Sequence, residues 1–474
     1  MTADPGTERA TPRPPVLPDT DARIVPRAEH PISRSHISEG ALKVLYRLIG
    51  AGHLAFLVGG GVRDLLLGQE PKDFDVATDA SPEEVQELFR NARLIGRRFR
   101  LAHVRFGREI VEVATFRGPA AEADPTTVEP GDLPSRRRSR PENEPAAALS
   151  GTGMILRDNV YGTIDQDAER RDFTINALYY TPADFCIYDF AGGLDDLAAR
   201  RIRLIGDPEQ RYREDPVRIL RALRFAAKLD FDLDPATAAP IGELAELLLH
   251  VPPARLFDEI VKLFLHGRAE RTFVLLREHD VFRMLFPQAD ARMNRDPLAE
   301  AVVRTALANT DRRVEEDRPV TPGFLIAALL WPALLDERER ALAEGLAPAE
   351  ALHDAARAVL ARQQMHTAVP RRFSTFVCET WELQPRLERG TGRRAPRLLT
   401  HPRFRAAYDF LVVRERAGDE TDGKGAWWTA YQEAAPEQRP ELEQAEPAAE
   451  GGKRRRRRGG RRRRRPSDGG AGNG

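Results

Sequence analysis

The chain has 474 residues, 41% apolar and 31% charged, which suits a folded, highly charged protein of two to four domains and excludes a single small core. No apolar run is long enough to span a bilayer, the N-terminus lacks the apolar centre of a secretory signal, and two distant cysteines, Cys186 and Cys378, exclude a disulfide framework and a CxxC metal site, so the expected location is the cytoplasm. The net charge of zero hides a segregation: eleven basic and no acidic residues lie between Lys453 and Arg465, leaving 0 − 11 = −11 for the rest, which points to a polyanionic partner.

Residues 1–30, rich in Pro, Thr and charge, are expected to be disordered. A helix begins near Ser38, with Leu42, Leu45, Tyr46 and Ile49 at helical spacing. The strand AFLV then runs into Gly59-Gly60-Gly61, and a helix, VRDLLLG, stops at Gly68. PKDFDVAT reads as a strand, and SPEEVQELFRN as a helix with Ser81 as N-cap, Pro82 at N1 and Glu84 at N3. Strands follow at AHVRF and EIVEVATF. Residues 118–151 lack apolar periodicity and are expected to form a mobile loop. RRDFTINALYY reads as a helix, and after Asp207 the periodicity is almost entirely helical to about Tyr431.

The chemistry concentrates between Leu57 and Thr78. A glycine cluster between strand and helix lets backbone amides approach a phosphate, although a tight turn alone would also explain it. It is neither a Walker A loop nor GxGxxG. Asp73 and Asp75 sit two apart on the following strand, so both carboxylates share a face and repel unless a cation lies between them. Hard oxygen ligands suit Mg²⁺, with Mn²⁺ an alternative, in a two-metal site for phosphoryl transfer. Glu112 is a lone carboxylate on an otherwise apolar strand. Its burial would suit a third acid, or it could pair with an arginine such as Arg63.

In the order GGGVRDLLLG, DFD, RRDFTINAL and EDPVRILRALRFAAKL, the chain resembles the class II tRNA nucleotidyltransferase and bacterial poly(A) polymerase family over about residues 57–229, with weaker likeness to about 290. The resemblance implies an α+β fold: a polymerase-β-type head with a mixed sheet and helices, then an all-helical neck and body. The domains would be a head over 31–185, a neck over 186–265, a body over 266–435 and a disordered arginine-rich tail over 436–474. Asp73 and Asp75 take the metal-binding catalytic roles, and Asp172 is either a further acid or a helix cap. Gly60, Gly61, Arg63, Arg171 and Asn176 fall beside the nucleotide, with Asp64 stabilising the glycine turn. Asp215 and Arg218 map to the pair that reads the incoming base, although Asp215 before Pro216 is also an ordinary cap. Arg221 and Arg224 continue the same helical ridge.

Within that family, GRRFRLAHVRFG, EPKDFDVAT and HPISRSHIS resemble the poly(A) branch more than the CCA-adding branch. The tail residues Lys453, Arg454, Arg455, Arg456, Arg461 and Arg462 would hold RNA through phosphates without reading sequence. The expected substrates are ATP and RNA 3′ ends (mRNA, small RNA and decay fragments), with RNA-degradation or RNA-chaperone proteins as partners and RNA turnover as the outcome. The alternatives are a CCA-adding tRNA nucleotidyltransferase and, more remotely, an inactive RNA-binding protein.

Overall fold

The computed structural model describes residues 20–96, 100–118, 126–127, 147–149, 155–158, 160–390, 394–435 and 437–439. The described residues fall into two compact units that divide between Cys378 and Glu379.

In the first unit the strands are β1 (Arg23–Val25), β2 (Ala55–Val58), β3 (Asp75–Thr78), β4 (Ala92–Ile95), β5 (Leu101–Phe106) and β6 (Glu109–Thr115). They continue as β7 (Thr126–Thr127), β8 (Ala147–Leu149), β9 (Ile155–Asp158), β10 (Leu178–Tyr180) and β11 (Ile187–Asp189). Eight of them form one mixed sheet in the order β1-β11-β10-β2-β3-β6-β5-β4. Its described pairings are antiparallel except β3 with β6, which is parallel. β7, β8 and β9 make a separate three-stranded sheet. They include the described part of the segment expected to be a mobile loop; most of 118–151 lies outside the described residues.

Side-chain alternation gives the sheet two apolar faces. Leu57, Val76, Leu178 and Tyr180 join the core beneath α1 (Glu39–Gly50), α2 (Gly60–Leu66) and α3 (Pro82–Leu88). Phe56, Val58, Ala77, Phe116 and Tyr179 pack on the other face against Ile164 and Ala168 of α4 (Ile164–Arg170). The Ser38 hydroxyl caps α1, which buries Val44, Leu45 and Leu48 while Tyr46 faces solvent. Ser81 and Glu84 form the expected capping box, with Pro82 opening α3.

Four expectations are corrected. Disorder does not extend to residue 30, because Arg23–Val25 completes the sheet edge against β11. RRDFTINALYY is not a helix: Thr174–Asn176 is a single 3₁₀ turn and Leu178–Tyr180 is a strand held between β2 and β11. The head runs past residue 185, since β11 belongs to its sheet. The region after it is not purely helical, because Arg201–Ile202 pairs in parallel with Asp232–Leu233.

Beyond the sheet follow α5 (Gly193–Ala198), α6 (Pro208–Glu214) and α7 (Val217–Leu229). α7 buries Val217, Leu220, Leu223 and Ala227, as its periodicity required. Helices Pro253–Phe264 and Ala269–Glu278 pack on α7 and on each other, so the expected neck–body boundary at 265/266 is not a break in packing. The apolar stripes after residue 240 are core. In the second unit, Leu383, Leu387, Phe404, Tyr408 and Leu411 enclose Trp428 and Tyr431, and Trp427 is also buried, so the Trp pair is core.

The capping box anchors the segment that leaves β3, and Ser81→Ala removes one side of it. The expected result is a loss of about 1 kcal/mol in unfolding free energy, read by urea denaturation with catalytic activity unchanged under native conditions.

Candidate active site

The parallel pairing of β3 and β6 sets Asp75 directly beside Glu112. Asp75 opens β3 with its carboxylate still accessible, but the surrounding walls strip away part of its hydration. Its pKa is pushed up to about 6, by desolvation first, then by the Glu112 and Asp73 charges, with Arg171 opposing. Asp73 lies just before the strand, and its carbonyl oxygen is 3.5 Å from where a Cβ on Gly61 would stand. The structure thus brings Asp73, Asp75 and Glu112 together. Glu112 itself is about half exposed rather than buried, and its partner is His103 at 2.9 Å rather than Arg63. Among the described residues, no group of three His, Cys, Asp or Glu side chains is disposed to hold a metal ion by itself.

Gly59 makes the turn between β2 and α2 with φ 70° and ψ −137°, a conformation that admits glycine and little else. A Cβ there would stand 3.6 Å from Arg171 Nη1. Arg171 donates from Nε to the Tyr179 hydroxyl at 2.8 Å and from Nη2 to Asp167 at 3.0 Å, while the Tyr179 hydroxyl donates to Asp167 at 2.7 Å. Burial works against the charge on Arg171, but Tyr179 and Asp167 outweigh it and its pKa is raised. The guanidinium is therefore a fixed cation next to the glycine turn and within the field of Asp75.

Arg63, Asn176 and Asp172 form a chain of hydrogen bonds that ends on Arg221. Arg63, expected beside the nucleotide, is turned inward: it is 2% exposed, donates to Asp64 and at 2.7 Å to Asn176, and lies over the Phe225 ring. Asn176 passes a hydrogen bond to Asp172 at 3.3 Å. The other Asp172 oxygen accepts from Arg221 Nε on α7 at 2.8 Å, and its first accepts from the Phe173 amide, which holds the turn that follows. Burial alone would raise the Asp172 pKa, but Arg221 and these hydrogen bonds hold it below the usual range. Asp172 thus ties the head to α7 rather than adding an oxygen to the Asp75 cluster. Asp215 accepts from the Val217 amide and from Arg255 at 2.7 Å, and Arg218 donates to the Arg211 carbonyl at 2.7 Å and to Glu214. Arg224 lies over Phe225. Gly60 stands behind Arg63, whose Nη2 would be 3.3 Å from an added Cβ.

Sequence reading missed several members. Arg170, beside Arg171, is pushed down to about 10 by burial first and then by Arg117, Arg211 and Arg218, a concentration of positive charge offset only in part by Glu214. Asp167 and Tyr179 also went unnoticed, though Asp167 four residues before Arg171 is at helical ion-pair spacing. Lys453, Arg454, Arg455, Arg456, Arg461 and Arg462 lie outside the described residues.

Three family models match: the poly A polymerase head domain over residues 55–203, the probable RNA and SrmB-binding site of polymerase A over 230–293, and the polymerase A arginine-rich C-terminus over 344–465. Poly(A) polymerase I of Salmonella typhimurium is 49% identical over 420 residues, covering 87% of this chain and 86% of that protein. The CCA-adding enzyme of Bacillus subtilis is 37% identical over 231 residues, 49% of this chain and 51% of that protein. A solved Thermotoga maritima CCA-adding enzyme complexed with tRNA superposes with a TM-score of 0.56 at 19% identity, covering 87% of this chain and 86% of that one, a likeness of fold.

Because the turn at Gly59 requires a positive φ, Gly59→Ala is expected to cost about 1–3 kcal/mol of stability. Denaturant unfolding reads the loss, and a change within about 0.5 kcal/mol, as at an ordinary surface position, would contradict the strained geometry.

Proposed function

The chain belongs to the poly(A) polymerase I family, and on that footing we propose that it extends RNA 3′ ends with adenylate from ATP by metal-assisted nucleotidyl transfer at Asp73 and Asp75. It is a polynucleotide adenylyltransferase. The RNA 3′-hydroxyl oxygen bonds to the α-phosphorus of ATP and gives up its proton to solvent, the bond from the α-phosphorus to the bridging oxygen breaks, and pyrophosphate leaves. The observation that carries the reading is the carboxylate set: Asp75 in register with Glu112, with Asp73 close enough to raise its pKa.

These residues fit a divalent cation. All three offer hard oxygen donors, and their mutual repulsion is relieved by positive charge, which suits Mg²⁺ bound by one or two carboxylates together with substrate phosphates. Asp73 and Asp75 would hold it, with Glu112 alongside. Bound there, it supplies Lewis-acid stabilisation of the attacking and leaving oxygens. The chain's own cations do the rest. Arg171, locked by Asp167 and Tyr179, holds positive charge at the glycine turn. Arg117, Arg170, Arg211 and Arg218 repel one another and favour an anion such as the triphosphate. Asp215 and Arg218 open α7, where they would face the base once released from Arg255 and Glu214.

Adenylate addition is favoured over CCA addition by the extent of similarity: the likeness to poly(A) polymerase I covers 87% of the chain, that to a CCA-adding enzyme 49%. The arginine-rich tail, outside the described residues, would hold diverse RNA through phosphates. No helix among the described residues is long and apolar enough to cross a membrane. The setting proposed for this activity is cytoplasmic RNA turnover, with RNA-decay or RNA-chaperone proteins as partners.

Purified protein with Mg²⁺, a generic RNA and each labelled nucleotide in turn should give long tails from ATP alone. Addition of only C, C and A to tRNA would overturn the adenylate assignment, and undiminished activity in Asp75→Asn would overturn the site. Deleting residues 453–465 should weaken RNA binding and flatten its dependence on salt concentration, by a slope of about 0.7 for each phosphate no longer neutralised; unchanged binding would refute the role of the tail.

A further inference from the structure

The sheet register lines up more than the carboxylates. Asp75 stands opposite Glu112, Glu112 opposite His103, and His103 opposite Arg93, so four strands present one lateral row of polar residues on one face. The register is built into the chain: β5 and β6 join through Gly107-Arg108, Gly107 has φ 62°, and pairing Phe106 with Glu109 forces His103 opposite Glu112. His103 is the more sheltered partner, its side chain 25% exposed against 48% for Glu112.

We propose that His103 is a positioning residue for nucleotidyl transfer, its Nε2–H donating to Glu112 Oε1 at 2.9 Å and holding that carboxylate beside Asp75. A glutamate side chain half in solvent has three rotatable bonds and samples several rotamers. A hydrogen bond to its charged oxygen from a ring anchored on the next strand selects one. Among the described residues His103 is the donor to Glu112, while the neighbour across β3 is Asp75, which repels it. In this role His103 acts through Glu112, its hydrogen-bond partner. Partners of this kind to metal-site carboxylates and imidazoles change affinity or activity by about 10–100-fold when removed. An ordinary cross-strand pair would instead contribute only stability, about 0.2–1 kcal/mol.

This inference rests on Asp73, Asp75 and Glu112 forming the metal site, and the test separates the two claims. The full chain would be compared as wild type, His103→Ala, His103→Gln, Glu112→Ala and the His103→Ala/Glu112→Ala double variant. Mn²⁺ binding would be measured by electron paramagnetic resonance in the presence of a non-hydrolysable ATP analogue, alongside kcat, KM for RNA and thermal unfolding. His103→Ala should lower kcat and weaken Mn²⁺ binding by about tenfold while KM for RNA is unchanged. His103→Gln, which keeps an N–H donor, should recover most of both, and the double variant should be no worse than Glu112→Ala. A His103→Ala protein with unaltered kcat and Mn²⁺ affinity, effects that add to those of Glu112→Ala, or a fall in melting temperature alone would overturn the proposal. A wild type that binds no Mn²⁺ would overturn both it and the metal site beneath it.

Discussion

Carboxylates side by side on adjacent parallel strands repel each other, and the head of this protein is arranged around one such pair. Neighbouring strands lie about 4.8 Å apart, so at an effective dielectric near 20 the repulsion between Asp75 and Glu112 is on the order of 3 kcal/mol, less where solvent reaches Glu112. The parallel β3–β6 pairing is what imposes it; an antiparallel partner with a different register would part the two acids. The consequence is visible in Asp75, whose proton is held to about pH 6 by desolvation and by Glu112 and Asp73.

The surrounding cations are fixed by separate means. Arg171 is immobilised by Asp167 and Tyr179, and an unbroken chain of hydrogen bonds runs from Asp64 through Arg63, Asn176 and Asp172 to Arg221. That chain joins α2, the turn before β10 and α7. The Phe173 and Phe225 rings meet at 5.5 Å beside it. The helix that follows the glycine turn, the turn before β10 and the arginine ridge of α7 are therefore coupled through sheltered polar contacts. Loss of one member leaves a buried charge without its partner.

What the sequence disclosed follows the range of the interactions involved. The capping box at Ser81, the strands of the β5–β6 hairpin and the core stripe of α7 depend on neighbours within a few residues, and all three were legible. The spacing of Asp73 and Asp75 beside the glycine turn marked a candidate site, and the family motifs around it supplied the metal role proposed for the pair. Leu178–Tyr180 was misread as helix because only β2 and β11, distant in the chain, make it a strand. Arg63 was placed beside the nucleotide and its inward turn missed, because its partner Asn176 lies 113 residues away. The exposure of Glu112 was missed for a related reason: alternation places a residue on a face but does not say whether that face is covered. Arg23–Val25 is too short to carry any period and becomes a strand only through its pairing with β11.

The central claim, that the β3–β6 register builds a metal site for nucleotidyl transfer, is tested most directly by crystals grown with Mn²⁺ and a non-hydrolysable ATP analogue, using anomalous scattering to locate the metal. The account predicts an anomalous peak within ligand distance of both the Asp73 and Asp75 carboxylates, with Glu112 adjacent. A nucleotide-bound structure with no manganese at those carboxylates, or with manganese held elsewhere in the chain, would contradict it.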